Sequence, residues 1–242
     1  TSLLTFCANL VAEGNADLTG CEDFFAIDRD GFQLACDLAD ISGELSRCKA
    51  ANVDWIHFDV MDGAFVDQIT YGSPVLKCVR RATDMFLDVH LMVNDPASQI
   101  KFFAEAGADL ISFHLESRSD ARKTLELIRS FGVKSALAVK PGTPIEEAFP
   151  LVELCDMVLV MTVEPGYGGQ AFIPETLDKI RALRSFAGDS LDIEVDGGIN
   201  GKTAPLVKEV GANVLVAGTG LFKAEDMAQV NSLLKAPQKG QA

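Results

Sequence analysis

From Asp54 to the end of the chain, short runs of β-branched and aromatic residues alternate with stretches whose apolar positions recur at helical spacing. Strands are expected at 55–61, 86–92, 110–115, 135–139, 157–163, 191–195 and 214–217. Helical patterns lie between them, for instance over 174–186, where Leu177, Ile180 and Leu183 share one face. Seven strand–helix units are visible, and an eighth has to come from 24–39. A length of 242 residues shared among eight units gives each the size of one βαβ step, about 30 residues.

A weak internal echo supports this. Ala51-Asn52-Val53-Asp54, Ala106-Gly107-Ala108-Asp109 and Val210-Gly211-Ala212-Asn213 each close a helix and open a strand. Glycine at such helix ends supplies a left-handed cap, and the apolar run after it suits a strand buried on both faces. Eight such units at this length favour a closed (β/α)8 TIM barrel, a single α/β domain, over an open doubly wound sheet. The open sheet would carry a Gly-x-Gly-x-x-Gly fingerprint after its first strand, and the sequence has none there. Residues 31–234 are expected to form the barrel. Residues 1–30 read as an atypical acidic N-terminal segment and 235–242 as a flexible tail.

Composition narrows the class of partner. Acidic residues number 35 and basic ones 21, a formal charge of −14. That balance argues against a nucleic-acid groove or an anionic membrane surface. The acidity is concentrated early: nine acidic residues precede Arg47, against the single Arg29. A hydrophobic content of 48% excludes a largely disordered chain. No apolar run approaches the roughly 18 residues of a spanning helix, and no Lys or Arg precedes the mildly apolar stretch 3–11, as a signal peptide would require. Cysteines stand at 7, 21, 36, 48, 78 and 155 without a Cys-x-x-Cys pair or zinc-ligand spacing, so reduced thiols in a cytoplasmic protein are expected.

A barrel places its chemistry at the C-terminal ends of its strands. Period-2 alternation puts His57, Asp59 and Met61 on one side of their strand and Asp88, His90 and Met92 on one side of theirs. Asp196 ends another strand just before Gly197 and Gly198. Taken singly, a strand histidine reads as a core residue. Two of the chain's three histidines beside two aspartates at strand ends instead suit one borderline divalent metal ion, Zn2+, Fe2+ or Mn2+. His114 is either packed structurally or placed behind a ligand. For an anion, the Gly-rich turn Glu164-Pro165-Gly166-Tyr167-Gly168-Gly169-Gln170 and the pairs Gly197-Gly198 and Gly218-Thr219 offer backbone amides on one rim.

His57-Phe58-Asp59-Val60-Met61-Asp62-Gly63, Asp88-Val89-His90-Leu91-Met92-Val93, Val160 through Gln170 and Glu194-Val195-Asp196-Gly197-Gly198 closely resemble the ribulose-phosphate 3-epimerase family. The resemblance runs from about Leu34 to Phe222. It implies a TIM barrel that interconverts D-ribulose 5-phosphate and D-xylulose 5-phosphate in a homo-oligomer. One divalent metal would be held at His57, Asp59, His90 and Asp196, with Asp59 and Asp196 also the acid/base pair. It implies substrate and phosphate contacts at His90, Gly166, Tyr167, Gly168, Gly169, Gly197, Gly198, Gly218 and Thr219, and a site lined by Met61, Met92 and Met161. These methionines read otherwise as core filler.

The residue chemistry agrees with that implication. Inverting a carbon next to a ketone removes a proton from one face and returns one to the other, which needs two acid/base groups on opposite sides. Two segments depart from the family pattern. Aligning on Leu34 and Asp37 puts Gly31 and Phe32 where the family has Pro-Ser, although strand one can instead be placed at 24–28. Ala64-Phe65-Val66-Asp67-Gln68 replaces the usual His-Phe-Val-Pro-Asn beside the substrate. The alternatives are therefore a 3-epimerase for another ketose phosphate, such as D-allulose 6-phosphate, or a catalytically weak barrel that binds a sugar phosphate or a protein partner.

Overall fold

Strands that are apolar on both faces need a cover on each side, and a sheet closed on itself provides the inner one. The computed structural model describes residues 24–27, 38–218, 221 and 224–235, the first four of these as backbone. Eight parallel strands close into a barrel in sequence order: β1 (Phe24–Ile27), β2 (Trp55–Met61), β3 (Phe86–Met92), β4 (Leu110–His114), β5 (Lys134–Val139), β6 (Met157–Met161), β7 (Asp192–Asp196) and β8 (Val214–Val216). The helices wrapping it are α1 (Ile41–Ala50), α2 (Ser73–Ala82), α3 (Ile100–Ala106), α4 (Ala121–Ser130), α5 (Thr176–Ala187), α6 (Ala204–Glu209) and α7 (Met227–Lys235).

Strands β2 and β3 match the expected ranges residue for residue, β7 moves one position at both ends, and the others shift by one or two positions at one end. Two departures have physical causes. The first strand takes the earlier of its two placements: β1 pairs with β2 and β8 and closes the barrel ahead of residue 31. Gly31 and Phe32 lie outside the described residues. The fifth unit has no α-helix. Its connection is two 3-10 turns, Ile145–Glu147 and Phe149–Leu154, the second carrying Pro150 where a longer helix would need a backbone N–H. At the C-terminus, Lys235 belongs to α7 and its ammonium lies 2.6 Å from Asp54.

Two cores result. Outside the barrel, Ile56, Phe58 and Val60 of β2 meet helix residues such as Leu76, Val79 and Phe103. Inside, Trp55, Leu110, Ala136, Met157, Val214 and Val216 close the N-terminal end with an apolar plug. Above that plug the buried interior turns polar, with histidines and carboxylates from β2, β3 and β7.

The internal echo corresponds to a repeated device. Asn52, Gly107 and Gly211 all adopt left-handed backbone, with φ of 56°, 102° and 109°. At Gly107 and Gly211 a second constraint applies: a Cβ there would stand 2.6 Å from the Cγ of Arg80 or of Arg184. Each arginine thus lies across a glycine and grips the base of the barrel. Arg80 donates to Thr83 O, Met85 O and Asp109 Oδ2. Arg184 donates to Gly188 O, Leu191 O, Gly211 O and Asn213 Oδ1. Asp109 and Asn213 in turn accept from the backbone N–H groups of Leu87 and Ile193 on the preceding strands. Substituting Arg184→Met keeps the stem but leaves these oxygens without their charged donor. The expected loss is roughly 2–3 kcal/mol, read in a thermal scan as a midpoint lower by roughly 4–12 °C. A midpoint within about 1 °C of the parent would mean the clamp carries no stability.

Candidate active site

The register of the sheet assembles the site. Pairing of β2 with β3 sets His57 beside Asp88, Asp59 beside His90 and Met61 beside Met92. Pairing of β6 with β7 sets Met161 beside Asp196 and Leu159 beside Glu194. Because alternate residues point inward, these pairs stack in layers up the barrel. The lower layer holds His57, Asp88 and Glu194, and the upper one Asp59, His90 and Asp196. All six are buried.

The upper layer, with His57, brings together the four residues expected to hold a metal. One ligating atom from each of His57, Asp59, His90 and Asp196 lies within 4.8 Å of the others. His57 Nε2 is 3.6 Å from Asp59 Oδ1, and His90 Nδ1 is 2.8 Å from the same oxygen. His57 Nε2 is fully buried without a hydrogen bond. A buried nitrogen without a hydrogen-bond partner, facing two carboxylates and a second imidazole, fits a divalent cation with mixed N/O ligands that would displace any proton there. The charge balance fits as well. Four buried carboxylates crowd two imidazoles, an arrangement that low dielectric penalises unless further positive charge enters.

The opposite edge of His57 is braced from below. Its Nδ1 lies 2.5 Å from Asp88 Oδ2 and 3.5 Å from Glu194 Oε1. These two carboxylates are the part of the site that sequence reasoning left without a role. Their signal was the same alternation that found the ligands, since Asp88 stands two residues before His90 and Glu194 two before Asp196.

Electrostatics separates the groups. Burial opposes charge on His57, but Asp88, Glu194 and Asp59 together outweigh it and raise its pKa well above the usual value. Burial also opposes charge on Asp59, and there His57 and His90 win, holding the carboxyl far below the ordinary range. Glu194 goes the other way. Burial, reinforced by the charge of Asp88, raises it well above the carboxylate norm. His90 is lowered by burial despite its contact with Asp59. Burial lowers His114 to about 4. Glu116 falls to about 2, its burial outweighed by bonds from His114, Thr143 and the Lys140 backbone.

The methionines fall into two apolar groups at the mouth. Met61 and Met92 pack with Val66 beneath Phe65, and Met161 packs with Ala138, Leu159 and Val163. The β6 loop is braced by Gln170, whose amide donates to Glu164 O and Tyr167 O. Tyr167 is half exposed and its hydroxyl lies 3.5 Å from Asp67 Oδ2 across the mouth. The β7 loop is tied to β6 through Thr162, whose hydroxyl donates to Asp196 O and Gly197 O. Gly198 has φ of 68°, and a Cβ there would stand 2.8 Å from the Phe172 backbone nitrogen, so no larger residue fits. Gly218 is buried at the end of β8, and its carbonyl accepts from Leu221 N. Thr219 lies outside the described residues. No helix among the described residues is long and apolar enough to cross a membrane.

The sequence model of the ribulose-phosphate 3-epimerase family matches residues 33–222. The chain belongs to the ribulose-phosphate 3-epimerase family. It is an isomerase of the epimerase type. Among its relatives, the cytoplasmic isoform of ribulose-phosphate 3-epimerase from Oryza sativa is 43% identical over 211 residues, covering 86% of this chain and 92% of that one. Ribulose-phosphate 3-epimerase from Bacillus subtilis is 42% identical, covering 84% and 95%. Solved structures similar in fold include a 3-hexulose-6-phosphate synthase (TM-score 0.62, 18% identity, covering 88% of this chain and 98% of that one). KGPDC from Streptococcus mutans aligns with TM-score 0.62 at 15% identity, covering 89% and 96%. The family match begins at residue 33, so it leaves out the segment that carries β1.

Proposed function

We propose that this epimerase inverts C3 of a ketopentose phosphate, interconverting D-ribulose 5-phosphate and D-xylulose 5-phosphate, with one divalent cation held by His57, Asp59, His90 and Asp196. The observation that carries the reading is the convergence of two buried aspartates from strands on different sides of the barrel, β2 and β7, upon two imidazoles. One carboxylate takes the C3 proton from one face and the other returns a proton to the opposite face. Asp59, kept ionised by its histidines, is suited to begin as the base. A divalent cation held by His57, Asp59, His90 and Asp196 would supply positive charge against the negative charge that develops when the C3 proton leaves.

The remaining residues orient and protect. Backbone amides of Gly166 to Gly169, Gly197, Gly198, Gly218 and Thr219 are assigned to the phosphate, which accounts for an anion site in an acidic chain without an arginine cluster. Met61, Met92 and Met161 form a water-poor wall over the reacting carbons.

A second reading, a 3-epimerase for another ketose phosphate such as D-allulose 6-phosphate, is favoured by one observation. The loop Ala64-Phe65-Val66-Asp67-Gln68 departs from the family pattern, and Asp67 adds a carboxylate at the mouth. One experiment addresses both readings. Each sugar phosphate is incubated with the metal-loaded enzyme in D2O, and epimer formation and deuterium at C3 are followed. The expected result is inversion of D-ribulose 5-phosphate with deuterium at C3 and a higher kcat/KM than for D-allulose 6-phosphate. The reverse ranking makes the second reading correct, and no exchange at C3 with either substrate rejects both.

A further inference from the structure

His114 belongs to neither cluster of candidate ligands, yet it is buried between an imidazole that faces the cation site and a carboxylate at the rim. Its Nε2 lies 3.0 Å from His90 Nε2 and its Nδ1 lies 3.2 Å from Glu116 Oε2. The other oxygen of Glu116 accepts the backbone N–H of Lys140 at 2.8 Å. The Phe65 ring packs against His114 with centroids 4.8 Å apart, and the Lys140 ammonium sits 3.9 Å above that ring. The imidazole is therefore held on its flat side as well as at both nitrogens.

With a cation in the cluster and a neutral His114, the donors and acceptors along this chain follow in order. An ionised carboxylate accepts and never donates, so His114 Nδ1 carries a hydrogen and its Nε2 carries a lone pair. Two facing Nε2 atoms cannot both accept, so His90 supplies the hydrogen from its Nε2. That leaves the His90 Nδ1 lone pair directed at the cluster, 2.8 Å from Asp59 Oδ1, a contact between two acceptors that a cation bound by both would relieve and that in its absence calls for a hydrogen on Nδ1 instead. We infer that Glu116 is a positioning residue for the metal site: acting through His114, it fixes His90 in the Nε2–H tautomer and presents the Nδ1 lone pair to the cation.

This inference rests on the proposed assignment of the cluster as a cation site. It also makes the two imidazole ligands unlike each other. His57 is backed directly by the carboxylate of Asp88, while His90 is backed by a neutral ring with its carboxylate one residue further out. Partners behind metal ligands typically change affinity by about 10- to 100-fold when removed.

The chain has only three histidines, so long-range 1H–15N spectra of the zinc-loaded protein report every imidazole. The expected spectrum has His114 in the Nδ1–H form and His90 in the Nε2–H form. In Glu116→Leu, His114 is expected to populate both tautomers. Zinc Kd, measured against a competing chelator, should rise roughly tenfold or more. The thermal midpoint of the metal-free variant should stay close to that of the parent, whereas a purely structural Glu116 would move that midpoint and leave the tautomers and Kd alone. His114 in the Nε2–H form in the parent protein, or an unchanged Kd in the variant, overturns the relay while the cation assignment stands. Absence of zinc binding by the parent overturns the cation assignment itself.

Discussion

Asp59→Asn is expected to lower the rate of C3 inversion by roughly 10²–10⁴-fold, the contribution of one proton-transfer group. Asparagine keeps the shape and an oxygen toward the cluster but cannot take a proton at neutral pH. Asp196→Asn is expected to fall in the same range, and the two variants differ in what they retain. A single surviving carboxylate can still remove and return a proton on its own face. Each variant should therefore wash deuterium into one epimer at C3 without inverting it, and the two variants should label opposite epimers. Metal content has to be matched between variants, because both side chains also belong to the candidate ligand set. Inversion at an undiminished rate in both variants would make the two-aspartate scheme wrong.

The second large effect concerns the cation. Asp59, Asp88, Glu194 and Asp196 lie buried around His57 and His90, so the folded chain holds several mutually repelling groups away from water. Anything that binds this arrangement and not the unfolded chain stabilises it by mass action, about 4 kcal/mol at a thousandfold excess over Kd. Stripping the cation with a chelator is thus expected to lower the thermal midpoint by roughly 8–16 °C and to lower C3 exchange by at least about 10²-fold. One equivalent of zinc or manganese should restore both. A midpoint that stays constant as the cation concentration is varied would show that the cluster does not hold it.

Much of this architecture was legible because alternation and punctuation agreed. In β2 and β3 the apolar residues alternate with His57, Asp59, Asp88 and His90, and the same alternation fixed both the strand limits and the inward face. Strand ends were harder where tertiary bonds decide them. β6 stops at Met161, before the expected limit of 163, because the Thr162 carbonyl accepts from Ile173 N of the following loop instead of continuing the ladder with β7. The helix missing from the fifth unit could have been inferred from Pro144 and Pro150. The four-residue β1 offers too short a run to place by pattern alone.

The candidate site was legible in its ligands and obscure in their supports. Sequence spacing says that Glu194 and Asp196 face the same way, but not that one lies a layer below the other against His57 Nδ1. The contact between His90 and His114 depends on which ring nitrogens meet across neighbouring strands, and no linear pattern encodes that.

The glycine-and-arginine clamps at Arg80 and Arg184 divide the labour of the barrel between its two ends. They fasten strand to strand at the base, through oxygens that contribute nothing to the chemistry. The loops at the opposite end carry lighter ties, such as Asn94 N to Asp62 Oδ2 and Lys140 N to Glu116 Oε1, that stand beside the site. A designer wishing to retune the sugar accepted by this scaffold can vary the exposed Ala64 and Asp67 while keeping Phe65 and Val66, which pack on His114 and on Met61 and Met92, because the clamps at the far end hold the base of the barrel independently of those two positions.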